Sequence, residues 1–257
     1  MHIRLLVLLS VPLVVALSAC SGDAYVVSTD SIDTSPEFDG ATLAVHTPAS
    51  ASINHTELGL DLSAELLDVE GNPLEFEDIS WTFVGDEEPV FVGNQTNLEL
   101  EHGIYDILVS ASTPNGGLLQ TTLNGVRVQG ERTGVYAGNL EMAAALEFQG
   151  TAVNTGCVGG ITFEIGMDGD VIEGDGGCSM ILVILDPIDV SYSLGGEVDG
   201  ADAAGDIGLD LGFFELPVVW DGGFEGEAFT ASFAGSAVLF EFEGVINATR
   251  ITEYVNP

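Results

Sequence analysis

The sequence predicts an all-β protein in which an N-terminal sandwich domain precedes a second antiparallel β-meander, closed as a small barrel or folded as a sandwich. Apolar and polar residues alternate with a period of two, as at Ile161/Phe163/Ile165/Met167, which is typical of strands with one buried face. Long runs with helical spacing are missing. Turn signals such as Asp168-Gly169 and Asp199-Gly200 separate the alternating runs, so the chain is a series of strands and hairpins.

The first residues have the composition of an export signal. Arg4 supplies the fixed side-chain charge of a short leading region, and residues 5–17 form an apolar run interrupted only by Ser10 and Pro12. A run of this length spans about 20 Å as a helix, which is shorter than the ~30 Å hydrocarbon core of a bilayer. We therefore predict that residues 1–19 are a signal peptide and not a membrane span.

Leu17-Ser18-Ala19-Cys20 resembles the lipobox of bacterial lipoproteins. The resemblance implies cleavage before Cys20, acylation of its thiol and anchoring in the lipid bilayer of the cell envelope. Because Ser21 and not aspartate follows the cysteine, the resemblance also implies export to the outer membrane. The alternatives are an ordinary signal peptide with a chance cysteine, or a buried helix.

The mature chain divides into a tether and two β domains. Residues 20–40 are rich in Ser, Thr and Asp and are expected to form a flexible tether. Residues 41–130 resemble PKD-like and related Ig-like β-sandwich domains, through segments that include Ile79-Ser80-Trp81-Thr82-Phe83 and a later strand that carries Tyr105. In that family the role is usually spacing, display or protein contact.

Residues 133–254 are predicted to form a second domain of eight strands. They have a loose likeness to barrels of other bacterial surface lipoproteins, but no motif assigns a family. The candidate strands are 135–148, 161–167, 171–175, 190–198, 207–211, 216–220, 224–233 and 239–251, with further turns expected at Asp221-Gly222-Gly223 and Gly235-Ser236.

The charge balance excludes several functions. The chain has 41 acidic residues, four arginines and no lysine, for a formal net charge of −37. Such a chain repels phosphate backbones and anionic headgroups, so we expect no nucleic-acid partner and no membrane binding through basic patches. Without lysine there is no Schiff base and no P-loop.

Cys157 and Cys178 are predicted to form a structural disulfide, because they are the cysteines that remain after lipidation of an exported protein. A turn at Asp168-Gly169 makes them diagonal neighbours, and adjacent glycines leave room for a bulge that aligns them. A metal site would need more ligands, and a redox site would favour a Cys-x-x-Cys spacing.

The sequence assigns no catalytic residue and no cofactor. Asp168, Asp170, Glu173 and Asp175 are candidate calcium ligands, although solvated turns explain them better in so acidic a protein. The histidines of the mature chain, His46, His55 and His102, match no catalytic or metal motif and are expected in turns or on the surface. Trp81 and Trp220 are interpreted as core residues and not as sugar platforms.

The leading functional hypothesis is a non-enzymatic, membrane-anchored envelope lipoprotein that serves in display, adhesion or assembly, with envelope or surface proteins as partners. The alternative is a module that binds a small ligand, glycan or cation in the C-terminal β domain. A cavity lined by aromatics such as Phe213, Phe214, Phe229 and Phe240 would favour this alternative, and a filled core would not. A carboxylate-based hydrolase ranks third.

Overall fold

The computed structural model describes residues 40–74, 79–112, 118–148, 151–181, 187–212, 215–237 and 240–253. The predicted signal peptide, Cys20 and nearly all of the tether lie outside these residues, as do Phe213 and Phe214. The described elements are β-strands, so the predicted all-β class is confirmed. In the described part of the chain, no helix is long and apolar enough to cross a bilayer.

The first eight strands form two sheets that face each other as a sandwich. One sheet has the order β1-β3-β6 and the other the order β2-β8-β7-β4-β5, with β2 parallel to β8. The strands are β1 Thr42–Thr47, β2 Ile53–His55, β3 Leu60–Leu67, β4 Ile79–Phe83, β5 Phe91–Val92, β6 Gln95–Leu98, β7 Gly103–Ser112 and β8 Leu118–Gln129.

Alternation places the core of the sandwich. In β3, Leu60, Leu62 and Leu66 are buried, whereas Asp61 faces solvent, as the period of two predicts. Trp81 on β4 is fully buried, and its indole N–H donates to the Gly93 carbonyl oxygen at 3.0 Å.

The start of β7 has a feature of Ig-like sandwiches. The Tyr105 hydroxyl donates to the carbonyl oxygen of Glu101, four residues upstream, at 2.8 Å. A tyrosine bonded in this way and a buried core tryptophan, here Trp81, are hallmarks of Ig-like sandwiches. The more specific PKD-like assignment stays a prediction.

The last eight strands form a closed antiparallel barrel, the first of the two folds predicted for this region. Each strand pairs with the next, and β16 closes the barrel on β9. The strands are β9 Gly134–Phe148, β10 Thr151–Ile165, β11 Val171–Met180, β12 Ile188–Asp199, β13 Asp202–Asp210, β14 Glu215–Glu225, β15 Ala228–Ala237 and β16 Phe240–Thr252.

Three local predictions in the barrel are wrong. Asp221-Gly222-Gly223 lies inside β14, and the chain reverses instead at Gly226 and Glu227, which divides the predicted strand 224–233. Gly235-Ser236 likewise lies inside β15. A Cβ on Gly222 would come within 2.3 Å of the Thr230 carbonyl oxygen. Glycine at this position therefore permits close approach of two strands and does not mark a turn.

A fourth difference from the sequence prediction concerns the beginning of β10. Residues 151–160 lie outside the predicted strands, yet they pair with β9 along their whole length. Valine occurs on both faces here, inward at Val153 and outward at Val158, and glycines interrupt the run. Hydrophobic alternation is consequently too weak to identify the strand.

The arginines of the mature chain all lie where the sandwich meets the barrel. Arg132 donates to the Gly226 carbonyl oxygen and Arg250 to the Glu131 carbonyl oxygen, both at 2.8 Å. Arg127 Nη1 of the sandwich lies 3.3 Å from Met167 Sδ of the barrel. These contacts hold residues 130–133, which connect the two units, against one end of the barrel.

Candidate functional site

The barrel interior is filled by aromatic rings around Phe229. The centroid of Phe229 lies 5.0 Å from that of Phe163, 4.9 Å from that of Phe224 and 5.8 Å from that of Trp220. Tyr136 stacks on Phe163 at 5.0 Å. Ring pairs at these separations stabilise a core beyond the effect of burial alone.

This geometry bears on the small-ligand hypothesis. Phe229, one of the rings expected to line a cavity, is fully buried against other rings. Phe213, Phe214 and the side chain of Phe240 lie outside the described residues. The part of the interior around Phe229 is thus a packed core and not a ligand pocket.

The polar ends of the buried rings have partners. Trp220 Nε1 donates to the Gly195 carbonyl oxygen at 3.2 Å, and the Tyr192 hydroxyl donates to the Gly160 carbonyl oxygen at 2.6 Å. The Tyr136 hydroxyl donates to the Arg132 carbonyl oxygen at 3.0 Å. Burial raises the pKa of both Tyr136 and Tyr192 above 10.0, since the phenolate loses hydration there. Trp81 and Trp220 are core residues with no exposed face, so neither is a sugar platform.

Cys157 and Cys178 are joined by a disulfide between β10 and β11, with a Cα–Cα distance of 5.8 Å. The ladder keeps one register from Ile165 opposite Ile172 to Gly160 opposite Gly177. That register makes the cysteines diagonal neighbours, and the bulge expected from the sequence is absent from the paired residues. A Cβ on Gly159 would come within 2.7 Å of the Cys178 Cβ, so glycine at 159 makes room for the bond.

Three of the four candidate calcium ligands, Asp168, Glu173 and Asp175, line one open pocket of about 700 Å³, but they do not come together as a metal site. Asp168 lies in the turn before β11, whereas Glu173 and Asp175 point outward from that strand, and all are exposed. The Asp168 carboxylate accepts a hydrogen bond from the Asp170 backbone N–H at 3.4 Å. Among the described residues, no three His, Cys, Asp or Glu side chains come together as a metal site.

The histidines are scattered over separate elements of the sandwich. His46 Nε2 lies 2.9 Å from Glu65 Oε1 across the pair β1 and β3. His102 is exposed, and His55 is partly buried on the edge strand β2. His46 and His55 thus lie on strands and are partly buried, and in the described contacts none of the three histidines is beside a nucleophile.

A groove of about 1150 Å³ crosses the outer wall of the barrel over β11, β10, β9, β16, β15 and β14. We call it the wall groove. It combines exposed aliphatic side chains with carboxylates; the residues that define it are Val158, Ile181, Val219, Val245, Glu141, Asp221 and Glu243.

Sequence reasoning missed the wall groove. Outward positions of a half-buried strand are expected to be polar, and Val158, Val219 and Val245 break that rule. Apolar residues out of phase with the buried face are a signal that the sequence does contain. Only the strand order, however, shows that these residues share one surface.

Comparison with known proteins gives no family. No protein-family model matches the chain, and no curated protein matches it. Over 74% of its length the chain is similar to a Tyr/Trp double mutant of the vaccine antigen transferrin-binding protein B from Haemophilus parasuis Hp5, with 13% identity and a TM-score of 0.32. The corresponding Trp mutant gives 10% identity and a TM-score of 0.30.

The chain spans about half of that antigen, since the similarity covers 51% of its length. A further similarity is to the apo haemoglobin receptor HpuA from Kingella denitrificans, with 12% identity, a TM-score of 0.26, and coverage of 88% of this chain and 94% of the receptor. The binding activities in these names belong to those proteins. The function of this chain has to come from its own residues.

Proposed function

We propose that this chain is a lipid-anchored protein of the bacterial cell envelope that acts without catalysis, through contacts with other proteins in display, adhesion or assembly. Anchoring rests on the signal and lipobox that end at Cys20. The acyl chains on this cysteine would supply the several anchors that stable attachment requires. The outer membrane is the expected destination because Ser21 follows.

The observation that carries the second half of the proposal is the filled barrel around Phe229. Ligand-binding barrels enclose a cavity, whereas the described part of this interior, around Phe229, is occupied by the protein's own side chains. The surfaces left for recognition are the walls and loops, which suit a protein partner better than a small molecule. Residues 20–40 would act as the tether, with 41–130 and 133–254 as two domains held at a distance from the bilayer.

Membrane partition tests the anchoring. The full chain, expressed with its own signal in a Gram-negative host, should collect with membranes and enter the detergent phase. Cys20→Ala should move the protein into the soluble fraction, while Cys157→Ala, with Cys20 intact, should remain in the membrane fraction. Wild-type protein that is unacylated and soluble in the periplasm would contradict the proposal.

The same cells show on which side of the outer membrane the protein is exposed. Antibody or protease added to intact cells reaches only protein displayed outside, and lysed cells provide the control for total protein. A display or adhesion role predicts access in intact cells. An envelope-assembly role predicts access after lysis only.

A further inference from the structure

We infer that the wall groove binds a short, extended, cationic segment of another protein that also carries aliphatic side chains. This inference rests on the function proposed above and names the chemistry of the partner. It follows from three properties of the groove: its length, its exposed valines and its uncompensated carboxylates.

The length is set by one row of paired residues. The row crosses β10, β9, β16, β15 and β14, with one residue on each strand opposite the next. Its members are Val158, Glu141, Val245, Ser232 and Asp221. Strands about 4.8 Å apart make this row about 19 Å long. An extended segment of about six residues, at about 3.3 Å per residue, has the same length.

The apolar component is unusually exposed. Val158, Ile181 and Val219 have relative exposures of 68%, 69% and 71%, and Val245 has 42%. Carboxylates and small residues lie between these four side chains, so the groove is a mixed apolar and acidic surface. A partner that covers its aliphatic side chains removes apolar area from water. The groove is also lined by the small residues Gly156, Ala143 and Ala234. Their short side chains let another backbone approach the barrel wall closely.

The carboxylates of the groove determine the sign of the partner's charge. Glu141 lies between Val158 and Val245 in the row, and Asn139 Nδ2 donates to its Oε1 at 3.1 Å. Glu141, Asp221 and Glu243 take no part in the ion pairs seen among the described residues. No described residue that lines the groove is basic. Lysine or arginine of a partner would therefore supply the missing charge.

Two other occupants have the wrong charge. A second copy would bring a formal net charge of −37 and the same three groove carboxylates. The chain's own segment 20–40 has no basic residue and carries the acids Asp23, Asp30, Asp33, Glu37 and Asp39. Like charges at close range oppose both contacts.

Six-residue peptides serve as probes of this inference. The protein is the full mature chain with Cys20→Ala, exported with a conventional signal, so that the result is independent of acylation. A labelled Leu-Lys repeat should bind in a fluorescence-anisotropy titration at about 0.15 M salt, where charges beyond ~8 Å are screened. A Ser-Lys repeat should bind more weakly, and a Leu-Glu repeat should not bind.

Matched variants locate the binding. Val158→Ser with Val219→Ser, and separately Glu141→Gln with Glu243→Gln, should each weaken Leu-Lys binding roughly tenfold, the change that about 1.4 kcal/mol produces. Glu197→Gln with Asp206→Asn makes the same change in net charge on exposed positions of β12 and β13, and Val84→Ser removes an exposed valine of the sandwich. The affinity of both controls for the Leu-Lys peptide should stay within about twofold of the parent's, since neither control alters the contacts that set affinity.

Three results would overturn the inference. The first is absence of Leu-Lys binding, and the second is an equal loss in the groove variants and the charge-matched control, which would assign binding to net charge alone. The third is self-association in sedimentation that Val158→Ser with Val219→Ser abolishes, because the groove would then be a contact between copies. Failure of membrane anchoring at Cys20 would leave all these readouts unchanged, so the two proposals fail separately.

Discussion

Glycines and aromatic rings occupy complementary positions on nearby strands of the barrel. A Cβ on Gly196 would lie 2.6 Å from Cζ2 of Trp220, and one on Gly176 would lie 2.3 Å from Cε2 of Tyr192. A small barrel has room for such rings only where the facing position is small. Several glycines of this sequence are therefore part of core packing and do not mark turns.

Gly196→Ala tests this complementarity. The added methyl group would also lie 2.5 Å from the Ala204 carbonyl oxygen, so Trp220 or the backbone must shift. Overpacking of this kind destabilises by about 1–3 kcal/mol. Urea unfolding measures the loss, and Gly160→Ala is the control because a Cβ there meets nothing within 4 Å. Equal stability of the two variants would contradict the packing described.

Tyrosine titration should control stability at high pH. The chain has no lysine, and its arginines stay charged. Because the folded-state pKa of Tyr136 and Tyr192 is raised, their stabilising effect is complete below pH 10 and is lost as pH rises above it. Tyr136→Phe with Tyr192→Phe should flatten the fall in unfolding free energy above pH 10. The unfolding free energy of the double variant at pH 8 measures separately the loss of the two hydroxyl hydrogen bonds. A fall in unfolding free energy above pH 10 as steep as in the wild type would contradict the assignment.

At the scale of elements, the disulfide fastens the β10–β11 hairpin. Cys157 and Cys178 are separated by 21 residues, and closing such a loop in the unfolded chain stabilises the fold by about 3 kcal/mol. Replacing both cysteines by alanine should lower the melting temperature of the barrel and leave membrane attachment unchanged. The wild-type protein under reducing conditions should show the same loss. Alkylation of two free thiols in oxidised, exported protein would contradict the bond.

Strand patterns could be predicted where one face is apolar and the other polar. β3 and the Asp168-Gly169 hairpin follow from local sequence in this way, including the register of the β10–β11 ladder. The beginning of β10 and the reversal at Gly226 could not be predicted, because valine and glycine there serve long-range strand contacts. The wall groove depends on closure of β9 against β16, which local periodicity does not specify.

At the scale of the whole molecule, charge is distributed very unevenly. Arg127, Arg132 and Arg250 all lie at the junction of sandwich and barrel, while 41 acidic residues are spread along the chain. Arg250 pairs with Glu253 at 3.0 Å and is mostly buried. Most carboxylates have no cation to pair with, so they must face solvent and repel one another.

Stability should consequently rise with salt. Screening shortens the reach of repulsion from about 30 Å at 0.01 M to about 3 Å at 1 M, and the compact state gains more from this than the expanded chain. Thermal unfolding in sodium chloride should show a higher melting temperature across that range. Glu197→Gln with Asp206→Asn should reduce the slope, since it removes two exposed charges. A melting temperature independent of salt would contradict the repulsion argument.

Calcium at fixed ionic strength separates screening from binding. Exposed carboxylates that do not form a metal site should respond to ionic strength alone, so added calcium should change the melting temperature little. A large rise specific to calcium would contradict the structure at Asp168, Asp170, Glu173 and Asp175, because those side chains would then have to gather around an ion.

The intact mass of the protein extracted from membranes tests lipid anchoring most directly. The full chain should be expressed with its own signal, extracted in detergent and measured by mass spectrometry beside Cys20→Ala. The predicted result is a chain that begins at Cys20 and carries acyl groups, with none on the variant. An unmodified chain, or one that retains residues 1–19, would contradict the central claim that this is a lipid-anchored protein of the cell envelope.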